Sequence, residues 1–225
     1  MVYTREALVE KCYAGEKFKY LFFWKPTITE GEITESCLGQ WWMCPFAVDG
    51  VTYSCAEQYM MAEKARLFHD EAMLDKIMNT NYPKEMKAYG RAVQNFHDEV
   101  WESKAYSIVK KGNIAKFSQN PELWNYLKQS KNRILVEASP RDRIWGIGLG
   151  AGNPDAQNPV KWRGRNLLGF ALMEVRDILL EREQREHGNL PEQGKQEQDN
   201  LPEQKKKQEH GNTVIYQKRD KQGLT

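Results

Sequence analysis

ILVEASPRDRIWGIGLG, residues 134–150, joins an apolar run to a glycine-rich loop. The run Ile134 to Val136 predicts a buried strand or a segment packed under helices. Glu137 follows it directly, and Ser139-Pro140 then predicts a turn. A carboxylate at the end of a buried segment suits the wall of a pocket, and it suits a capped strand end equally well.

The loop that follows carries Asp142, Trp145 and glycines at 146, 148, 150 and 152. Glycine lets the main chain approach a ligand closely and offers its N–H groups. A second carboxylate beside a tryptophan therefore indicates a lined pocket, with Glu137, Trp145 and Gly146 as candidate substrate contacts. A solvated aspartate on an irregular loop is the alternative interpretation.

The bulk composition indicates one domain with room for an appendage, because 40% of the 225 residues are apolar and 11% aromatic. A formal net charge of +2 gives no argument for nucleic acid or a membrane as the dominant partner. The four cysteines form no CxxC pair and the four histidines no HExxH motif, so we expect reduced thiols and no metal or cofactor. Without a signal peptide or a membrane-spanning run, a soluble cytoplasmic protein is expected.

The N-terminal third predicts a short helix, a strand and a hairpin. Residues 4–14 suit a helix that is capped by Thr4 and ends near Gly15, and the aromatic run 18–24 suits a buried strand. Asp49-Gly50, between β-forming residues, is a preferred two-residue hairpin turn.

Glu57 lies in the first turn of a helix predicted from Ser54 to about Phe68. Its spacing from Ser54 is that of a capping box, in which the carboxylate bonds the backbone N–H of Ser54. Glu57 also shares one helix face with Met61 and Lys64, which equally suits the wall of a site or a partly exposed face.

Further helices are predicted at about 70–78, 83–89, 94–111 and 121–129, with Gly90 and Gly112 at helix ends. Trp101 belongs to an apolar stripe and is therefore a core residue or a stacking wall for a planar base. In the basic turn 161–165, Arg163 and Arg165 are candidate phosphate ligands, or else plain solvated surface. Asn166 is the predicted N-cap of the last strong helix.

Polar low-complexity sequence begins at about Glu181, where the composition changes to Glu, Gln, Lys, Asn and Gly. Imperfect repeats such as NLPEQ recur in it without a core-forming pattern. We therefore predict a domain over residues 1–180 and a disordered tail over residues 181–225.

Several segments taken together resemble the NADAR family, which includes bacterial N-glycosidases that cleave early riboflavin-pathway intermediates. Roughly residues 18–180 are covered in the right order, and ordered motifs are more specific than any single one. The matching segments are GQWW at 39–42, PFAVDG at 45–50, AEQYMMAEKARLF at 56–68, GR at 90–91, VWESK at 100–104, KF at 116–117, LVEASPRDRIWGIG at 135–148 and GRNLLGFALMEVRDIL at 164–179.

The resemblance implies a mainly α fold: one multihelical domain with a few short β-strands near the N-terminal half. It also implies three site positions, since the family's essential carboxylate falls on Glu57, its tryptophan on Trp101 and its aspartate on Asp142. The bacterial riboflavin-intermediate enzymes tend to carry Ser-Asn-Phe where this chain has Gly39-Gln40-Trp41. That departure points to another subgroup, for which removal of ADP-ribose from guanine bases is the other known activity.

Gln40, Trp41 and Arg91 lie in further matching segments, and we expect them to contact the substrate. Both candidate substrates are phosphorylated ribosylamines, in which ribose C1 is joined to an exocyclic amine. One carboxylate would steady the charge at C1 and activate water while a second group protonates the leaving nitrogen. Glu57 and Asp142 are assigned to these tasks in either order.

Trp101 would stack on the base or form a wall beside the ribose. Lys64 would bind phosphate, attack C1 of an open imine as an amine nucleophile, or simply pair with an acid. The first hypothesis is thus a hydrolase of N-glycosyl bonds, the second a binding module for ADP-ribose or a related nucleotide, and the third an interaction protein that acts through its tail. The expected partners are a small-molecule ribosylamine or, as a modified substrate, nucleic acid, with no membrane and an open oligomeric state.

Overall fold

The computed structural model describes residues 3–25 and 32–188. Within them, helices predominate over four short strands, so the predicted mainly α-helical fold is confirmed. The helices are α1 (Arg5–Tyr13), α2 (Ala56–Leu67), α3 (Glu71–Met78), α4 (Pro83–Arg91), α5 (Asp98–Gln119), α6 (Pro121–Gln129) and α7 (Leu167–Gly188). The strands are β1 (Tyr20–Phe23), β2 (Met43–Val48), β3 (Val51–Cys55) and β4 (Ile134–Glu137).

Two local predictions near the N-terminus are confirmed. The Thr4 hydroxyl accepts a hydrogen bond from the Ala7 N–H at 3.1 Å and caps α1. The turn between β2 and β3 has positive φ angles at both Asp49 (51°) and Gly50 (80°), a geometry that favours these two residue types.

Helix α2 lies at the centre of the core, and most of its side chains are buried. Helices α3, α4 and α5 pack against it. Gly90 lies in the last turn of α4, as predicted, whereas Gly112, which was also predicted to end a helix, lies inside α5. Both lie where their helix crosses α2. A Cβ on Gly90 would come within 2.0 Å of the Met61 sulfur, and a Cβ on Gly112 within 2.3 Å of the Tyr59 ring. Close helix contact therefore explains both positions, and α5 continues to Gln119.

Strands β1 and β4 form a parallel pair in which Phe23 lies opposite Glu137. The side chain of Asn166 forms hydrogen bonds with the backbone of β4, as a neighbouring strand would. It accepts a hydrogen bond from the Glu137 N–H at 3.0 Å and donates one to the Leu135 carbonyl at 2.9 Å. Asn166 precedes α7 as predicted, but its side chain fixes the end of β4 instead of capping the helix.

The predicted boundary at residue 180 falls inside α7, because residues 181–188 continue that helix. The rest of the predicted tail lies outside the described residues, so the division at 180 stays a prediction. In residues 3–25 and 32–188, no helix is long and apolar enough to cross a membrane.

Candidate active site

Glu57 lies in the first turn of α2, but it does not form the predicted capping box. Gln58 bonds Ser54 instead, because its Oε1 accepts hydrogen bonds from the Ser54 N–H at 2.7 Å and the Ser54 hydroxyl at 3.0 Å. The capping interpretation of Glu57 is therefore wrong. Its backbone N–H bonds the Gln40 carbonyl at 2.9 Å, and its carboxylate serves no helix cap.

The Glu57 side chain is held in a dehydrated position, where the residue is only 5% exposed. Burial raises its pKa to about 7, and the Asp142 charge adds to the rise. Lys87, a hydrogen bond from the Trp41 indole and Arg91 oppose the rise. Both the protonated and the ionised form of Glu57 are thus populated near neutral pH, as proton transfer requires.

Glu137 ends β4 and faces the same cluster. Its Oε2 is buried and has no hydrogen-bond partner among the described residues. Burial raises the pKa of this carboxyl to about 8, helped by the charges of Asp142 and Glu57 and opposed by that of Lys87. An unpartnered buried carboxyl is rare in a folded chain and indicates a functional position.

Asp142 organises the loop after β4. Its Oδ1 accepts hydrogen bonds from the N–H groups of Ile144 at 2.9 Å, Trp145 at 2.8 Å and Gly146 at 3.5 Å. Glu57, Glu137 and Asp142 therefore converge from α2, β4 and this loop, and we refer to them as the acidic site.

Gly146 has a packing function that the sequence did not indicate. A Cβ there would lie 2.8 Å from the Glu137 carbonyl and 3.1 Å from the Asp142 carbonyl, so only glycine lets the loop lie this close to β4. The Gly146 N–H is directed at Asp142. Loop packing thus accounts for this glycine, while its predicted contact with substrate stays a prediction.

Two cations on α4 border the acidic site. Lys87 acts on Glu57 and Glu137, and Arg91 acts on Glu57 and Lys64. Sequence reasoning included Arg91 and missed Lys87. The only signal for Lys87 was its spacing of four residues from Arg91, which places both on one helix face.

Lys64 and Trp101, which were both predicted to line the site, are neighbours. The Lys64 ammonium lies 4.0 Å from the centre of the Phe96 ring and 5.7 Å from that of Trp101. Burial lowers the pKa of Lys64, as does Arg91, while Asp98 raises it. Trp101 is half-buried and packs against the core.

The other residues predicted to contact substrate differ in burial and in the hydrogen bonds that they already make within the protein. Gln40 Oε1 accepts a hydrogen bond from Asn113 at 3.0 Å, so this side chain is tied to α5. Trp145 is half-buried beside Asp142, and its part in binding stays a prediction. Arg163 and Arg165 are exposed, and neither is among the charges that act most strongly on Glu57 or Glu137. Their predicted phosphate contact stays a prediction.

Within the described ranges, no three His, Cys, Asp or Glu side chains are grouped to hold a metal ion.

Residues 22–180 match the NADAR domain family. The chain is 40% identical over 167 residues to N-glycosidase R617 of Acanthamoeba polyphaga mimivirus, a match that spans 72% of this chain and 97% of the relative. It is 33% identical to N-glycosidase YbiA of Escherichia coli strain K12, over 60% of this chain and 76% of YbiA. The solution structure of E. coli YbiA superposes with a TM-score of 0.58 at 26% identity, over 75% of this chain and 89% of YbiA.

A third relative, the chloroplastic riboflavin biosynthesis protein PYRR of Zea mays, is 30% identical over 139 residues, but the match spans only 20% of its length. The names of the viral and bacterial relatives confirm the predicted class, a hydrolase of N-glycosyl bonds. A family match over most of the domain, two N-glycosidase relatives and a shared fold lead to one conclusion: the chain belongs to the NADAR domain family.

Proposed function

We propose that this N-glycosidase hydrolyses the bond between ribose C1 and the exocyclic amine of a phosphorylated ribosylamine, with early riboflavin-pathway intermediates as its substrates. The convergence of Glu57, Glu137 and Asp142 carries the proposal. Loss of an amine from C1 develops positive charge on the sugar, which nearby carboxylates stabilise. The match to a segment of the maize riboflavin biosynthesis protein supports this choice of substrate.

Glu57 transfers the proton. With a pKa of about 7 it is partly protonated at neutral pH and can donate to the departing nitrogen. Asp142 stabilises C1 and orients the attacking water, because three backbone N–H groups fix its carboxylate as an acceptor. The C1–N bond breaks, the hydroxyl of water joins C1 and a proton joins the amine, so the products are ribose 5-phosphate and the free amine.

The cations and aromatic side chains beside the acidic site suit the remaining parts of the substrate. Lys87 and Arg91 on α4 are positioned to hold the sugar phosphate, with Lys64 as a third positive group. The rings of Trp41 and Trp101 suit stacking on a planar base.

ADP-ribosylated guanine is a second candidate substrate, and the identity of residue 41 favours it. The bacterial riboflavin-intermediate enzymes tend to carry phenylalanine there, which has no N–H group. In this chain the Trp41 indole, acting as a hydrogen-bond donor, lowers the pKa of the Glu57 carboxyl against the effect of burial. A different residue in direct contact with the key carboxylate is consistent with a different leaving group.

A product assay separates these substrates. The full chain is incubated with the first ribosylamine of the riboflavin pathway and, separately, with an ADP-ribosylated guanine oligonucleotide. Release of ribose 5-phosphate from the first supports the proposal, whereas release of ADP-ribose from the second alone assigns the chain to the second candidate. If ADP-ribose binds and neither substrate is cleaved under any condition, the proposed turnover is refuted.

Two variants show whether any turnover arises at the acidic site. Glu57→Gln keeps the size and a polar amide but cannot exchange a proton, so we expect it to abolish product release. Glu63→Gln is the matched control, because Glu63 lies on the same helix but pairs with Arg66 at 2.6 Å. Equal activity in both variants would place the chemistry elsewhere.

A further inference from the structure

Lys116 is a fully buried lysine that the proposed chemistry does not use. It lies on α5, 0% exposed, with its side-chain amine 2.7 Å from the Cys37 carbonyl and 2.8 Å from the Gly39 carbonyl. These carbonyls end the short 3-10 helix Glu35–Leu38, where backbone acceptors have no partner within the helix. A positively charged donor is favourable at such an end.

The groups around Lys116 do not provide an ordinary ion pair. Its acidic neighbours are the thiols of Cys37, Cys44 and Cys55. Burial raises the pKa of Cys37 to about 12 and that of Cys55 to about 11, so both thiols stay neutral at physiological pH. Burial also lowers the pKa of Lys116 itself. The two backbone carbonyls are thus its direct partners, and a buried lysine kept for them has a positional function.

A second residue on the same helix holds the same loop. Asn113, three residues before Lys116, donates its side-chain N–H to Gln40 Oε1 at 3.0 Å and to the Val109 carbonyl at 2.9 Å. Residues 37–40 are therefore fixed to α5 at three points, namely two backbone carbonyls and one side chain.

This loop in turn acts on Glu57 in two ways. The Gln40 carbonyl accepts the Glu57 N–H at 2.9 Å. The indole of the next residue, Trp41, lowers the pKa of the Glu57 carboxyl as a hydrogen-bond donor. A shift of the loop would move the indole away from the carboxylate, while the charges that face Glu57 from α4, β4 and the following loop would stay in place. Those groups are Lys87, Arg91, Glu137 and Asp142.

We infer that Lys116 is a positioning residue of the active site: by holding the carbonyls of Cys37 and Gly39, it aims the Trp41 indole at Glu57 and so favours the ionised form of that carboxylate. The inference rests on the proposed function only where it concerns turnover. The link from Lys116 to Glu57 itself stands on the hydrogen bonds that join the loop to α5 and to the Glu57 N–H.

The test is a direct titration of Glu57 in the full chain, by NMR of glutamate labelled with 13C at the carboxyl carbon, with Glu57→Gln used for assignment. Lys116→Met keeps a long buried chain and removes the donors. We expect the pKa of Glu57 to move upward by at least half a unit, because a hydrogen bond to the ionised form is lost. Lys111→Met, an exposed lysine of α5 that pairs with Asp49, should leave it unchanged.

A double-variant comparison separates an effect on the position of the Trp41 indole from a general loosening of the fold. Trp41→Phe should reproduce the upward shift by itself, and adding Lys116→Met to it should shift the pKa no further. Additive shifts, or no shift in Lys116→Met alone, would overturn the inference. So would failure of both Lys116→Met and Lys116→Gln to fold, since Lys116 would then be a requirement of the core.

The pH profile of turnover gives the catalytic readout. If Glu57 transfers the proton, the limb of the profile that reports its pKa moves to higher pH in Lys116→Met. A purely structural defect would lower the rate at every pH without moving the limb. If the NMR pKa moves while the limb does not, the positioning inference holds and the catalytic assignment of Glu57 fails.

Discussion

Buried polar side chains at the two ends of β4 differ in their hydrogen bonding. At the first end, Arg176 of α7 is 3% exposed and donates hydrogen bonds to two residues that precede the strand, namely to the Ser130 hydroxyl at 2.7 Å and to the Arg133 carbonyl at 3.1 Å. After the strand, Glu137 keeps a buried oxygen without a partner among the described residues. The first arrangement satisfies its polar groups and stabilises the fold, whereas the second leaves a buried oxygen without a partner, which costs stability.

Glu57→Gln should give the largest effect. Because a proton-transfer group is worth about 100- to 10,000-fold in rate, we expect turnover to fall by about 1,000-fold. The free energy of unfolding should stay equal or rise, because a buried ionisable group is removed. Product assays together with chemical denaturation measure both quantities. A parallel loss of activity and stability would show that Glu57 supports the fold and would contradict its catalytic assignment.

Asp142→Asn comes next, with an expected loss of about 100-fold in turnover. The amide oxygen of asparagine can still accept the loop N–H groups, so the loop should persist while the charge is gone. Asp142→Ala removes both, and it should add a loss of stability to the loss of rate. Steady-state kinetics and thermal melting of the pair separate the two effects. Unchanged kinetics in Asp142→Asn would remove this residue from the reaction.

Arg176→Met tests the satisfied end of β4. Loss of its two hydrogen bonds leaves the Arg133 carbonyl without this donor, and we expect a destabilisation of about 2 kcal/mol. Turnover per folded molecule should not change. Urea titration measures the stability, and Arg182→Met, at an exposed position of the same helix, is the control. A large kinetic effect would mean that the two ends of the strand are coupled.

Glu137→Gln should give the smallest effect on turnover, and an effect on stability that depends on pH. The pKa of Glu137 lies at about 8 in the folded chain against an ordinary value of 4.5, so the native protein loses stability as the pH rises between these values. Relative to the native chain, the variant should therefore be more stable at pH 9 and about equally stable at pH 4.5. Denaturation at the two pH values measures the gain. A gain of equal size at both would show that Glu137 does not titrate in this range.

Local sequence signals predicted most of the elements, because caps, turns and apolar periodicity act over a few residues. The Thr4 cap and the Asp49-Gly50 turn are of this kind. Gly112 was misassigned as a helix end because the reason for this glycine lies across a helix contact, on Tyr59 of α2. Such contacts leave no trace in the nearby sequence.

The acidic site was predictable only in part for the same reason. Local patterns singled out Glu57, Glu137 and Asp142 as candidates for the wall of a pocket, and the resemblance then selected Glu57 and Asp142 as catalytic candidates. Lys87 was missed, since a lysine on an amphipathic helix is usually only solvated. Gln58 was also missed as the partner of Ser54, because the capping-box spacing pointed to Glu57 instead.

The parallel pairing of β1 with β4 has a consequence for synthesis of the chain. These strands lie more than a hundred residues apart in sequence, and Asn166, still later, secures the β4 end. A growing chain that has reached α6 already contains Glu57 within its helical core, yet it lacks the strand that places a second carboxylate beside it. Closing so long a loop is a slow step in folding. We therefore expect the acidic site to be completed late in folding, and a chain that ends before Asn166 to contain most of the helices without a complete acidic site.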